Sequence, residues 1–526
     1  FHLDGLFLRW INYFKEFRAT LYKLIQLILV VFNYEIKPNL NKNHIVMSHR
    51  NKTNLLCLML LLLAFSSFKC SKDNDDEDTK PVIVTKSDVD FYLTSANQTS
   101  LLKKQNFKLR FGTATNSYPI IRVDSTQVFQ EIDGFGYSLT GGSSSVIYAL
   151  APAPRAALLK EMFGSDSASL GISYLRISIG ASDLDPFPFS YNDLPAGETD
   201  VNLNKFSLAP DKAHLIPVLK EILAINPNIK IMGSPWSPPT WMKTNNSSVG
   251  GSLKPEYYST YAQYFVKYIQ GMKAEGITID AVTLQNEPLH PGNNPSLLMQ
   301  AAEQRDFIKG FVGPAFEAAG IKTKIIVYDH NCDRPDYPIT ILNDPEAKKY
   351  VDGSAFHLYG GDISALSTVH DAHPDRNLYF TEQWTGKNES FAENFMWHTQ
   401  QVLIGSVRNW SKVVLEWNLA NDPSFGPHTE GGCTECKGAL TIGGSITRNP
   451  SYYILGQISK WVPPGSKRIQ SDIAPNMPSV AFLTPQGKKV LLVLNTASAS
   501  QSFNIEFKGK RVTALLQAQS AGTFIW

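Results

Sequence analysis

At 526 residues the chain is long for one compact domain, but it fits an α/β barrel with a small companion module. Hydrophobic residues at 43% and charged residues at 18% exclude a disordered or fibrous chain, and aromatic residues at 11% suffice for stacking surfaces as well as core. The formal charge of +2 misleads: residues 1–70 hold nine Lys/Arg and three Asp/Glu, leaving 40 against 44 in the rest, a balance that recruits no nucleic acid.

The chain opens on Phe1, and its first apolar run, Leu21 to Phe32, contains Lys23 and is too short to span a bilayer. Residues 1–46 therefore read as an upstream extension. From Met47 the pattern is that of a signal peptide over 47–70: a basic start (His49, Arg50, Lys52), an apolar run (Leu55 to Phe65) and then Cys70. The acidic stretch that follows, Ser71 to Asp78, has nothing to bury, so 71–87 is expected to be a solvated tether. The leader resembles a bacterial lipoprotein signal in which Cys70 carries the lipid, although Lys69 stands where a small residue is usual. An ordinary cleaved signal with an incidental cysteine is the plainer alternative. Either reading places the protein outside the cytoplasm, the first at the outer membrane or cell surface of a Gram-negative bacterium.

Residues 88–129 carry the short alternating runs Val89–Thr94, Lys108–Phe111 and Ile120–Asp124. From 130 to 460 the character changes to repeated βα units, with eight β-rich runs: Glu131–Gly136, Ile172–Ser178, Ile229–Ser234, Ala281–Asn286, Lys324–Asp329, Gly353–His357, Leu378–Glu382 and Val413–Trp417. Most are apolar throughout, as strands buried on both faces of a parallel barrel are. Between them Tyr257, Tyr261, Tyr264, Phe265, Tyr268 and Met272 recur at helical spacing, and Gly276 closes that helix. Over 461–526 alternation returns in Val480–Thr484, Val490–Asn495, Phe503–Phe507 and Arg511–Gln517. The expected fold is thus a (β/α)8 TIM barrel with an accessory antiparallel β-sandwich built from both chain ends.

In such barrels chemistry sits at the carboxyl ends of the strands. Glu287 follows the run from Ala281, and Glu382 closes the run from Leu378. A carboxylate at the end of a strand buried on both faces is costly to keep ionised unless it is paired or hydrogen-bonded. Either alone could be a strand-end salt bridge. Together they suit glycoside hydrolysis, which needs one carboxyl to protonate the departing oxygen and another to meet the oxocarbenium-like centre. Trp236, Trp384 and Trp417, each near a strand end, could stack on a pyranose or pack on the barrel rim. Cys433 and Cys436 form a C-x-x-C pair without partner ligands, which in an exported chain favours a disulfide over two resting thiols or a zinc site. No G-x-S-x-G, G-x-G-x-x-G or H-E-x-x-H motif occurs, and neither a cofactor nor a metal is expected.

Asn286-Glu287-Pro288 resembles the acid/base signature of clan A glycoside hydrolases, and the ordered set around it resembles glycoside hydrolase family 30, which includes glucosylceramidases and endo-β-1,6-glucanases. That set comprises Gly134-Phe-Gly136, Tyr174 to Ser178, Gly233 to Pro239, Trp241-Met-Lys243, His357-Leu-Tyr359, Thr381 to Trp384 and Glu416-Trp417-Asn418. The resemblance implies Glu287 as acid/base, Glu382 as nucleophile and Asp183 as a grip on sugar hydroxyls. Asn286 would then hold the sugar 2-hydroxyl, Tyr359 the nucleophile, and His357 either the sugar or Glu287. Arg176 would lower the pKa of a carboxylate, Glu382 above all, or serve as a structural ion pair. Trp384 and the loop Leu289 to Pro295 look more like the bacterial β-1,6-glucanase branch than like animal glucosylceramidases. The expectation is a monomeric retaining endo-β-1,6-glucanase acting on extracellular polysaccharide. Glucosylceramidase or exo-β-glucosidase is the alternative within the class, and a non-catalytic glycan-binding lipoprotein is the alternative outside it.

Overall fold

The structure, a computed structural model, describes residues 87–526. The proposed leader, its lipid site Cys70 and all but the last residue of the tether lie outside the described residues. Three strands precede the barrel among the described residues: β1 (Asp90–Ser95), the two-residue strand Lys103–Lys104 and β2 (Ile120–Glu131). The barrel strands are β3 (Gly134–Ser138), β4 (Tyr174–Ser178), β5 (Lys230–Ser234), β6 (Ala281–Thr283), β7 (Lys324–Cys332), β8 (Val351–Gly361), β9 (Asn377–Glu382) and β10 (Ser411–Asn418). They pair in parallel and in chain order, and β10 closes on β3. All eight expected runs become these strands. Tyr174, Met232, Ile326, Tyr379, Val413 and Leu415 fill the barrel's interior, while the outward faces meet the surrounding helices, so the strands are apolar on both sides.

The tyrosine-rich segment forms the helix Tyr258–Ala274, with Tyr258, Tyr261, Tyr264, Phe265, Tyr268 and Met272 buried on one face. It ends where Gly276 takes φ +83°, a conformation that lets the Ile277 N–H reach back to the Met272 carbonyl.

After the barrel come β11 (Lys467–Ser471), β12 (Ser479–Leu483), β13 (Lys489–Asn495), β14 (Gln501–Phe507), β15 (Lys510–Leu516) and β16 (Ser520–Ile525). They join the three strands from before the barrel in one nine-stranded sheet, in the order Lys103–Lys104, β1, β16, β13, β12, β11, β2, β14, β15. β1 and β16 pair directly, with Asp90 opposite Ile525. Two expectations are corrected. The pair β2 and β14 runs parallel, so the module is not wholly antiparallel. Lys108–Phe111 forms no strand: Gly112 ends the run, and only Leu109 and Gly112 make single bridges, to Val89 and Arg511. Alternation along β12 and β13 explains how the module is held. Val480, Phe482, Val490 and Leu492 join the barrel's outer core, whereas Ala481, Leu491 and Val493 join Phe503 and Phe524 in a second core. Arg408 donates to the Ser479 carbonyl at 2.8 Å and fastens the junction.

Candidate active site

The carboxyl ends of the strands converge on one buried polar cluster. Glu382 is the last residue of β9. Glu287 lies four residues beyond β6, which ends at Thr283 rather than Asn286 as the sequence suggested. There the chain leaves the ladder: the Asn286 N–H donates to the Pro235 carbonyl at 2.7 Å, and the Glu287 N–H to the Asp329 carbonyl at 3.0 Å. Glu287 takes φ +45°, and Tyr328 and Asp329 take +75° and +66° on the facing strand. Left-handed backbone at a non-glycine residue costs roughly 1–3 kcal/mol, and three cases around one pocket show that the fold over-determines these side chains.

Arg176, fully buried on β4, donates from Nη1 to Glu382 Oε2 at 2.6 Å. From Nη2 it donates to Asn286 Oδ1 at 2.6 Å and to Asp329 Oδ2 at 2.8 Å. Asp329 was assigned no role from the sequence, yet it is the most heavily bonded acid of the site. Ser234 and Thr283 hydroxyls donate to its Oδ2 at 2.7 and 2.8 Å, and the Thr381 hydroxyl to its Oδ1 at 2.7 Å. Burial alone would raise its pKa, but Arg176 and His357 beside it hold it well below the ordinary carboxylate range. The signal that could have found it is the one that found the glutamates: it closes the apolar run Lys324-Ile-Ile-Val-Tyr.

His357 lies between the acids, with Nε2 3.1 Å from Asp329 Oδ1 and Nδ1 3.0 Å from Glu287 Oε1. Burial opposes its charge, yet Glu382, Asp329 and Glu287 together raise its pKa to about 9, so it is an imidazolium donating to both partners. Tyr359, at the far end of β8, donates its hydroxyl to Glu382 Oε1 at 3.0 Å. Single oxygens of Glu287 and Glu382 and a nitrogen of His357 all lie within 4.8 Å of one another. A cation could be held there only by displacing hydrogen bonds that His357 already makes, so this donor set suits proton transfer better than metal binding. The two carboxyls titrate as a pair. Burial, Glu287 and Asp183 raise Glu382 to about 7 against the pull of His357 and Arg176, while the bond from His357 holds Glu287 low despite its burial. One proton therefore stays on the pair into the neutral range.

The tryptophans lie beside this cluster. Trp236 and Trp417 are 5.5 Å apart and only 2% and 3% exposed, with the Arg176 guanidinium 4.8 and 5.7 Å from their rings. Their faces are largely committed to that cation, which leaves little free ring for a sugar; Trp384, half-buried against them, keeps more. Cys433 and Cys436 are disulfide-bonded, and Cys436 packs into the same aromatic group. Asp183 is buried, accepts the Cys433 N–H at 3.3 Å, and is raised to about 6 by that burial. Glu287, Glu382, Asn286, His357, Tyr359 and Arg176 thus lie in one hydrogen-bonded cluster, and Trp236, Trp384, Trp417 and Cys436 lie in one apolar group that the Arg176 guanidinium reaches.

Two facing carboxyls at the mouth of an eight-stranded barrel define a glycoside hydrolase of the two-carboxylate type. Residues 132–462 match the Glycosyl hydrolase family 30 TIM-barrel domain, and residues 465–524 match that family's beta sandwich domain. The chain belongs to glycosyl hydrolase family 30. It is 37% identical over 393 residues to the endo-1,6-beta-D-glucanase of Neurospora crassa, covering 71% of this chain and 80% of that one. The lysosomal acid glucosylceramidase of Mus musculus is 29% identical over 416 residues, covering 72% and 78%. Among solved structures, the endo-beta1,6-glucanase BT3312 superposes with a TM-score of 0.78 at 36% identity, covering 84% of this chain and 99% of that one.

Proposed function

We propose that this glycoside hydrolase cuts β-1,6-glucan internally with retention of configuration, Glu382 acting as nucleophile and Glu287 as acid/base. The observation that carries the reading is the approach of the two carboxyls within 4.8 Å, close to the separation of about 5–5.5 Å that lets one carboxyl attack the carbon whose leaving group the other protonates. Glu287 gives its proton to the glycosidic oxygen as a Glu382 oxygen bonds to the anomeric carbon and the C–O bond to the leaving sugar breaks. Glu287 then takes a proton from water, whose oxygen attacks the same carbon and releases Glu382 as carboxylate. Arg176 and Tyr359 hold the two Glu382 oxygens, and they stabilise the carboxylate again as the ester breaks. Because Asn286 Oδ1 accepts from Arg176, its amide NH2 is left to donate to the sugar 2-hydroxyl. The productive ionisation requires the shared proton on Glu287, and His357 Nδ1, 3.0 Å from Glu287 and 3.8 Å from Glu382, lies between the two carboxyls.

The β-1,6 linkage is supported by the similarity to the two endo-1,6-glucanases and by Trp384 directly after the nucleophile. Purified enzyme is expected to release reducing ends from β-1,6-glucan at least about 10²-fold faster than its Glu382→Gln variant. Equal rates would end the reading, and glucose as sole product would move the enzyme to the exo class. The leader supports a surface lipoprotein anchored through Cys70. Its test is fractionation: Cys70→Ala should move activity from the membrane to the soluble fraction, and unchanged partition would refute the anchor.

A further inference from the structure

We infer that the Cys433–Cys436 disulfide is a positioning element for substrate: it holds one backbone N–H on Asp183 and the underside of the Trp384 loop in place, so that it sets the enzyme's grip on sugar without taking part in the chemistry. The inference rests on the reading of Asp183 as a sugar contact. Asp183 is 5% exposed, and among the described residues no Lys, Arg or His forms an ion pair with it. Its carboxylate accepts the Cys433 N–H at 3.3 Å and also has the Asn293 side chain as a hydrogen-bonding neighbour, which still leaves lone pairs free for hydroxyl donors of a ligand. The segment that delivers this N–H has little to fix it from within. Gly431 has φ +81°, and Gly432 packs so closely that a Cβ there would come within 2.4 Å of the Asp183 carbonyl oxygen.

What fixes the segment lies on either side. Upstream, the Thr429 N–H donates to the Asp183 carbonyl at 2.8 Å, and the Asn294 side chain donates to the Glu430 carbonyl at 2.9 Å. Downstream, Cys436 is 4% exposed among Leu184, Trp236 and Trp417, and it pairs with Gly386, two residues after Trp384. The sulfur bridge joins these anchored sides across three peptide bonds. Without it, Cys433 would be free to swing off Asp183, and the short strand pair next to Trp384, Thr385–Gly386 with Cys436–Lys437, would lose its tie to the Asp183 side of the site.

The test compares wild type with Cys433→Ser/Cys436→Ser on whichever of β-1,6-, β-1,3- or β-1,4-glucan or an aryl β-glucoside the wild type hydrolyses fastest. An error in linkage shows in that choice, and an error about the disulfide shows in the ratio of constants. Loss of the bridge should raise KM about tenfold to 150-fold, the span of one hydrogen bond to a charged group, and leave kcat within about twofold. In an Asp183→Ala background the same change should add nothing, because the two act through one contact. Should the double serine variant fold poorly by circular dichroism, reduction of folded wild type by a dithiol, which closes to its own disulfide as it leaves two thiols, supplies the same reading. An unchanged KM, or an equal rise with Asp183 already removed, would overturn the inference.

Discussion

Asp329 shows how a site can be organised by a residue that need not touch substrate. It is fully buried, yet Arg176, His357 and three hydroxyls surround its two oxygens, and through Arg176 and His357 it aims the carboxyls of Glu382 and Glu287. Removing one partner of a buried ion pair typically costs about 3–5 kcal/mol, because the other charge is left without compensation. Asp329→Ala should therefore lower the unfolding free energy by about that amount in denaturant titrations, and Glu382→Gln by much less. A loss below about 1 kcal/mol for Asp329→Ala would contradict this organising role. The sequence announced Glu287 and Glu382 because each closes an apolar run beside polar and aromatic neighbours. Asp329 closes such a run too, but only the closed barrel shows that Arg176, 153 residues away, reaches it.

At the scale of elements, strand runs were legible because burial on both faces leaves a continuous apolar signature, and that signature ends where burial of the ladder does. It could not show that β6 stops at Thr283, because Leu284 and Gln285 are also buried and differ only in having left the ladder. Nor could Lys108-Leu-Arg-Phe be told from a strand, since alternation is blind to whether a neighbour runs alongside for more than one bridge. The loops after β5 and β6 depend on a residue noted only as part of a motif. The fully buried Lys243 donates to the Ser237 hydroxyl at 2.9 Å and to the Ser248 and Ser296 carbonyls at 3.1 and 2.6 Å. Lys243→Met keeps the apolar stem and strands two carbonyls, at about 1–3 kcal/mol for each buried group left unsatisfied. Limited proteolysis should then cut within 244–296 faster than in wild type; identical digestion would show that the loops are held by other means.

Over the whole molecule, the sandwich was legible as a module but not in its sharing of a core with the barrel, because Val480 and Ala481 look alike in sequence and face different cores. Burial also fixes how stability varies with pH. Burial raises Asp183 to about 6, Asp185 and Glu382 to about 7 and Asp211 to about 8. A carboxyl whose folded pKa lies above its unfolded value stabilises the fold while protonated, and that stability is lost as pH rises through the folded value. His357, raised to about 9, acts in the same sense above its unfolded value, whereas His330, lowered to about 4, opposes it below about 6.5 together with His214, His370 and His373, which burial also lowers, and Lys243, lowered to about 7, opposes it near pH 7. The folded state thus binds more protons than the unfolded state from pH 5 to 7, and stability should fall across that window by about 1.4 kcal/mol per pH unit for each net proton. Guanidinium unfolding at pH 5, 6 and 7 reads this directly, and a rise in stability with pH would reverse the assignment.

All of these scales serve the claim that Glu382 attacks the anomeric carbon while Glu287 protonates the leaving oxygen. Trapping with a 2-deoxy-2-fluoro-β-glucoside bearing a good leaving group, followed by peptide mass spectrometry, measures it most directly. The fluorine slows breakdown of the glycosyl ester more than it slows formation when the leaving group is good. The expected result is one fluoroglucosyl adduct on Glu382, absent from the Glu382→Gln variant. Turnover of the natural substrate without any adduct, with the inverted anomer as first product, or an adduct on another residue, would contradict the account.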